Sequence, residues 1–440
     1  MALKKTVKAV TPPIIWRAAR SLRRSFGVLF GLWAKHMLAW QSPIRHRRIL
    51  ARHRGARPIR VIFLISNTAS WKVGPVFAQM MTDPDFQPIA VVCPTTSGSL
   101  LKAAQHTADL ARRYLGASGF PYADMTGLDA TQTRAEIRKI NPHVVFFTNP
   151  HKLVPKYLHD ELLKSRLTCY VPYHHEVMAY GNNQEQYNQA SHTAFWRVFV
   201  PHEESKRHYE TTRIRRDDGV VVTGFPACEP LLTPASVRDS SPWIGKGRNK
   251  KRVIYAPHWL WRPDIKMATI DTFGRTMQHL AEKYREDMQW AFRPHPMLRP
   301  RLMKTAEWGP QRTDEFFDFW ESSDFSQIHE DDYLPLFRTS DAIIHDSGSF
   351  LAEYLYLRKP AMYLMTEQTG TKYFNAFGRR AIMACDTGRS ADDIEQFLQR
   401  VLNHETESVS VDRFFREDIA PSFQPLPSSK ICDEIKRAFL

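Results

Sequence analysis

Acidic residues are missing from the start of this chain: no Asp or Glu precedes Asp83. Residues 1–60 carry fifteen Lys and Arg, and the remaining 46 basic residues balance the chain's 46 acidic ones. The formal charge of +15 therefore sits on one N-terminal segment, and the body is neutral. Cysteine is scarce as well. Cys93, Cys169, Cys228, Cys385 and Cys432 are odd in number, scattered and free of CxxC spacing. That excludes a disulfide framework and points to a reduced, cytoplasmic protein. There are 18 histidines but no HExxH and no Cys/His cluster, so no metal centre is expected, at His258, His295 and His345 or elsewhere. Long apolar runs are absent near the N-terminus. Phe26 to Ala34 is far too short for a bilayer span, and no small-residue cleavage site follows it, so neither a membrane helix nor a signal peptide is expected.

What the N-terminal segment does have is periodicity. Ile15, Ala18, Leu22, Phe26, Leu29, Trp33, Met37 and Trp40 recur at three- and four-residue steps, one face of a helix. Arg17, Arg20, Arg23, Arg24 and Lys35 fall mostly off that stripe. A basic helix rich in Trp and Phe suits the surface of an anionic membrane, and residues 1–56 are expected to form such an arm. The competing reading is a helix packed on the body. No nucleic-acid motif accompanies the arm, so nucleic acid is not expected as a partner.

The rest alternates strand and helix. Apolar strands are expected at Arg60–Ser66, Pro88–Cys93, Val144–Thr148, Leu167–Pro172, Ala194–Val200 and Val220–Thr223, with helices near Gly74–Met81 and Leu100–Leu115. A Pro- and Gly-rich stretch over residues 229–250 reads as a linker, and a second alternating set starts at Lys251. The fold expected is α/β, with two doubly wound parallel sheets. The divisions are 1–56 (arm), 57–228, 229–250 (linker) and 251–440.

Chemistry concentrates in the second set. Ala342–Ile344 is a short strand, Asp346, Ser347, Gly348 and Ser349 make a small polar turn, and Phe350–Leu357 reads as a helix. A strand, a small-residue turn and a helix start form a cradle for phosphate, because first-turn N–H groups lack intrahelical acceptors. Two more strands end nearby in sequence pattern: Arg252–Pro257 before His258, and Gln289–Phe292 before Arg293, Pro294 and His295. In open parallel sheets ligands bind outside the carboxyl ends of strands. An arginine fork and titratable histidines are what a pyrophosphate group requires.

These residues resemble the CDP-glycerol glycerophosphotransferases, which polymerise teichoic-acid-like poly(glycerol phosphate). Tyr255-Ala256-Pro257, His295-Pro296, Ser340-Asp341, Asp346, Ser349, Glu353-Tyr354 and Lys359-Pro360 match the family pattern in order and local spacing, and Gly224-Phe225-Pro226 looks like its Gly-x-Pro. Residues 345–349 depart from the pattern, reading His-Asp-Ser-Gly-Ser where members have Thr-Asp-Tyr-Ser-Ser. His258 replaces a threonine and Glu353 an aspartate. The resemblance implies a GT-B arrangement, two Rossmann-like domains facing across a cleft, with the donor on the C-terminal side. It implies His258, Arg293, Asp346, Ser347, Gly348, Ser349 and Glu353 as donor-binding residues and His295 as catalytic.

The acceptor side should then lie in the first half. Cys169–Gly181 reads as a strand running into a loop with His174, His175 and Glu176. Transfer to a hydroxyl needs a general base, and family members carry a His-Gly at a comparable strand end, so His174 or His175 is the candidate. The glycine is absent here. His202-Glu203-Glu204 also follows a strand and is expected to open a helix instead. The expected function is transfer of glycerol phosphate from CDP-glycerol, or another nucleotide-activated donor, to a polymer or lipid-linked acceptor. No separate cofactor is expected, and the protein would sit peripherally on the inner face of the cell membrane. The alternatives are a nucleotide-sugar-dependent glycosyltransferase of capsule or lipopolysaccharide synthesis and a non-catalytic nucleotide-sugar-binding assembly protein.

Overall fold

Two fully parallel sheets organise the chain. The first contains β1 (Ile59–Ile65), β2 (Phe86–Val92), β3 (Tyr122–Asp124), β4 (Val144–Phe147), β5 (Leu167–Tyr170), β6 (Arg197–Val200) and β7 (Val220–Val222), in the order β3-β2-β1-β4-β5-β6-β7. The second contains β8 (Lys251–Ala256), β11 (Met288–Phe292), β12 (Ser326–Ile328), β13 (Ala342–His345), β14 (Ala361–Leu364) and β15 (Asp386–Gly388), in the order β12-β11-β8-β13-β14-β15. Between β8 and β11 in sequence, β9 (Trp261–Arg262) and β10 (Ile265–Lys266) form a small antiparallel hairpin. The computed structural model describes residues 13–96, 104–151, 153–179, 183–215, 217–233, 241–244, 249–259, 261–262, 265–367, 370–405 and 408–440, with side chains of the first helix from Gly31 onward. The side chains of Ile15 to Leu29, the first turn of the expected Leu100 helix and much of the expected linker lie outside what is described.

The central strands are buried on both faces, which is why they read as continuous apolar runs: β4 and β13 are buried throughout, and β1 at all but one position. Helices cover each sheet, and the two-sheet GT-B expectation holds. Some boundaries move. The strand expected from Ala194 starts at Arg197, because Ala190–Ala194 is a short helix. The helix expected over Phe350–Leu357 begins at Gly348 and tightens into a 3₁₀ turn at Tyr354. His202 accepts from the Ser205 N–H and caps the helix Glu203–Thr212, as its position implied.

The last helix and the N-terminal helix both pack on the first sheet's side. The last helix, Pro427–Phe439, buries Ile431, Cys432, Ile435 and Phe439 and packs on the helix Gly74–Thr82. Ion pairs Lys436–Asp83 (2.7 Å) and Arg197–Glu434 (2.8 Å) flank it. The N-terminal segment forms one helix, Pro13–His53. Its second half is docked on the body: Ser42, His46 and Ile49 are buried, and Lys35 donates to the Asn188 carbonyl. Upstream of that seam Leu32, Trp33 and Trp40 stay exposed, the two indoles at 57% and 66%. Among the described residues no helix is long and apolar enough to cross a membrane.

Candidate active site

β8 lies between β11 and β13, so the strand order reverses around it, and the loops leaving these three strands share one edge. His258 follows β8, Arg293 and His295 follow β11, and Asp346–Ser349 follows β13. The His258 and His295 rings stand 5.0 Å apart, with the Trp259 ring 5.7 Å from His295. His295 Nδ1 accepts from the Met297 N–H at 3.1 Å. Burial, with Arg293 adding to it, pushes the His295 imidazole down to about 4, and burial beside His295 pushes His258 down to about 3. Both rings are therefore neutral near pH 7.

Asp346 has a different place from its neighbours. Its carboxylate is fully buried and accepts from the His258 N–H, the Thr269 N–H (2.6 Å) and the Thr269 hydroxyl (2.8 Å). It ties the β8 and β13 loops together and builds the cradle from behind instead of lining it. His345 is also turned inward: its Nδ1 accepts from the Ser347 N–H and its ring meets Tyr363. His345 therefore does not converge with His258 and His295. Among the described residues no group of three or more His, Cys, Asp or Glu is arranged to hold a metal ion.

The Lys359-Pro360 step has a structural task. Lys359 Nζ donates to the carbonyls of Phe337 (3.3 Å), Arg338 (2.6 Å) and Ser340 (2.7 Å), closing the end of the helix Tyr333–Thr339. That helix begins with Tyr333, whose hydroxyl donates to Glu353. Glu353 is fully buried, and its other oxygen has no partner.

Across from these groups lies the loop after β5. His174 and His175 are adjacent in sequence and opposite in environment. The His175 ring is buried, stacked on Phe377 at 5.2 Å, edge-on to Phe225, with Nε2 3.2 Å from the Tyr356 hydroxyl. Burial pushes its imidazole down to about 3. His174 is half-buried and its Nδ1 lies 3.1 Å from the His175 carbonyl. A carbonyl can only accept, so Nδ1 carries the hydrogen and Nε2 keeps its lone pair. Burial, reinforced by the nearby Lys72 ammonium, holds His174 below the ordinary imidazole value of 6.5. Glu176 points into the first sheet's core, where the Tyr209 hydroxyl reaches it at 3.3 Å and burial pushes it up to about 8.

The two halves are joined through this loop. The His175 N–H donates to Ser349 Oγ at 3.1 Å, the Asn375 N–H to the Val177 carbonyl at 3.0 Å, and the Ala179 N–H to the Tyr373 carbonyl at 2.7 Å. Gly378 permits the approach, since a Cβ there would sit 2.3 Å from the Val177 carbonyl oxygen. Gly348 faces the same strip, and a Cβ would meet the Met178 sulfur at 3.3 Å.

Residues 144–410, more than half of the chain, match the family described as CDP-Glycerol:Poly(glycerophosphate) glycerophosphotransferase. The chain belongs to this family. The match covers the His174 loop and all three loops of the second sheet's edge. None of the curated protein sequences matches the chain. Among solved structures it resembles the wall teichoic acid polymerase TagF, seen as a histidine-to-asparagine variant, at TM-score 0.57 and 12% identity over 97% of this chain and 98% of that one. The same polymerase soaked with CDPG gives TM-score 0.55 at 12% identity over 97% and 98% of the two chains. A UDP-N-acetylglucosamine 2-epimerase from Listeria monocytogenes gives 0.56 at 15% identity, over 87% of this chain and 97% of that one. At these identities the likeness is one of fold.

Sequence reasoning overlooked Lys72. It sits in the loop after β1, and its Nζ donates to the Tyr333 hydroxyl at 2.9 Å across the gap between the sheets. A lysine after a strand is a weak signal on its own, and its partner is far off in the chain.

Proposed function

We propose that this glycerophosphotransferase-family protein moves glycerol phosphate from CDP-glycerol to a hydroxyl of a polymer or lipid-linked acceptor. The observation that carries the reading is His174. It is a neutral imidazole with Nδ1 engaged by a carbonyl and a free Nε2, in the loop that hydrogen-bonds to the β13 turn. In the proposed step the acceptor oxygen bonds to the glycerol-bearing phosphorus of the donor. The bond from that phosphorus to the bridging oxygen breaks, and CMP leaves with the electron pair. The hydroxyl proton passes to His174 Nε2.

On the other side, Arg293, His295 and His258 would hold the pyrophosphate, with the Ser347, Gly348 and Ser349 turn as a further donor contact and buried Glu353 acting through the Tyr333 hydroxyl. Asp346 would act through the loops that it joins. Residues 1–56 would bind the inner face of an anionic cell membrane. Exposed Leu32, Trp33 and Trp40 and the acid-free basic composition support this.

The test is nucleotide release from a panel of CDP-glycerol, UDP-sugars and CMP-sugars, with and without acceptor. Acceptor-dependent CMP release from CDP-glycerol is expected. Turnover of UDP-sugars alone would make the protein a glycosyltransferase, and binding without turnover would make it an assembly protein.

A further inference from the structure

Lys72 and Arg293 reach Tyr333 from opposite halves of the molecule. The Lys72 Nζ lies 4.7 Å from the Tyr333 ring centroid and donates to its hydroxyl, while the Arg293 guanidinium lies 5.9 Å from the same centroid. Among the described residues Lys72 and Arg293 form no ion pair with a carboxylate, although Asp332, Asp331 and Glu330 lie close enough to Arg293 to favour its charged form. Arg293 donates to the His329 carbonyl (2.7 Å), and its buried Nε has no partner. Glu353 touches this pair only through the Tyr333 hydroxyl. Two cations held on one phenol, between the base loop and the donor-side loops, are arranged for an anion that both halves grip.

We infer that Lys72 is a catalytic residue that binds the phosphoryl group in transit, opposite Arg293, with Tyr333 as their shared platform. This rests on the CDP-glycerol reading above. The attacked phosphorus must lie within reach of both His174 Nε2 and the pyrophosphate-binding side. Lys72 stands at that junction, in contact with Tyr333 and near enough for its charge to act on His174. As the acceptor oxygen closes on phosphorus and the bridging oxygen departs, negative charge is carried on the phosphoryl oxygens, where an ammonium stabilises it without any proton changing hands. The bridging oxygen leaves on CMP, on the Arg293 side.

The charged and titratable groups facing His174 are Lys72 from the loop after β1, His151 from the loop after β4, and Tyr173 and His175 of its own loop. Lys72 disfavours the imidazolium, so removing its charge should ease protonation of the base. That gives a second readout which a merely structural lysine would not move.

The test uses the full chain and its Lys72→Ala, Lys72→Met and Lys72→Arg variants. Lys72→Ala should lower kcat by about 10²-fold or more, weaken CDP-glycerol binding and leave CMP binding unchanged, because CMP lacks the transferred phosphoryl group. The acid limb of its pH–rate profile should move to higher pH, and Lys72→Arg should recover part of the rate. Lys72→Met removes the charge while keeping the stem, which covers the case in which the alanine variant folds poorly. Equal loss of CMP and CDP-glycerol affinity, or wild-type kcat in Lys72→Met, would overturn the assignment. A wild-type protein that never releases CMP from CDP-glycerol overturns the parent reading instead. An active wild type with an equally active Lys72→Met removes Lys72 alone.

Discussion

Asn375 donates its side-chain amide to the main-chain carbonyl of Glu176 at 2.7 Å, so the loop that carries His174 hangs from the opposite half of the molecule. The same side chain accepts from the Gly378 N–H at 2.8 Å and caps the helix Ala376–Ala384. Clamp and cap can be separated. Asn375→Asp keeps the acceptor for Gly378 but sets a carboxylate against the Glu176 carbonyl, whereas Asn375→Ala loses both. Each should cost about 1–3 kcal/mol of stability, and Asn375→Asp should also lower kcat more than tenfold. Thermal melts and steady-state kinetics check both. Wild-type kcat in Asn375→Asp would mean that the clamp does not position the base.

His174 and His175 should respond oppositely to alanine. His174→Ala removes a half-buried ring facing the gap, and should melt normally and lose transfer by about 10²–10⁴-fold. His175→Ala empties a packed site beside Phe377 and Phe225 and should cost about 2–4 kcal/mol. The base must be unprotonated, and its folded pKa lies below 6.5, so activity should be flat above that value and fall as pH drops through the lowered pKa. An active, stable His174→Ala protein would move the base elsewhere.

Glu176 gives the fold a pH dependence of its own. Burial raises its carboxyl from 4.5 to about 8, so the native state holds a proton that the unfolded chain has released. Its contribution is complete below 4.5 and is lost as pH rises through about 8. The buried neutral histidines titrate against an unfolded value of 6.5 and act below that. Between pH 6.5 and 8, stability of the wild type should therefore decline with pH. Denaturant midpoints should show a flatter dependence in Glu176→Gln.

The central strands were legible because parallel strands buried on both faces leave unbroken apolar runs, as in β1 and β13. β3 was not, since Tyr122–Asp124 is a three-residue edge strand with no buried position. The loops carrying His258, Arg293, His295 and Ser347 could be placed on one edge from strand ends alone. The difference between His174 and His175 could not, because it depends on which ring meets Phe377, a residue of the other half. Asp346 looked like part of the cradle's lining, and only the folded chain shows both its oxygens occupied, one by the His258 N–H and one by the distant Thr269. Lys72 was invisible for the same reason: its meaning lies in Tyr333.

The N-terminal helix should divide by function at its buried seam. Deleting residues 1–30 removes much of the basic, acid-free segment but keeps Ser42, His46 and Ile49 in their sites. That protein should stay folded, turn over a small soluble acceptor, and bind anionic vesicles more weakly in sedimentation assays. Electrostatic attraction contributes about 1 kcal/mol per basic residue near such a surface and weakens with salt. High salt should therefore loosen the full-length protein only in part. Replacing Trp33 and Trp40 with Glu should weaken vesicle binding further at any salt, because more than half of each side chain is exposed and little burial is lost. Deleting residues 1–56 is a different experiment. It uncovers the surface beneath Ile49 and removes the Gly55 N–H from the Phe439 carbonyl (2.7 Å), and the loss of Ile49 burial alone is worth about 1.5–3 kcal/mol. That deletion should lower the melting temperature by several degrees, whereas the shorter one should leave it unchanged. If both deletions unfold alike while the full-length protein ignores vesicles, the helix serves the body alone.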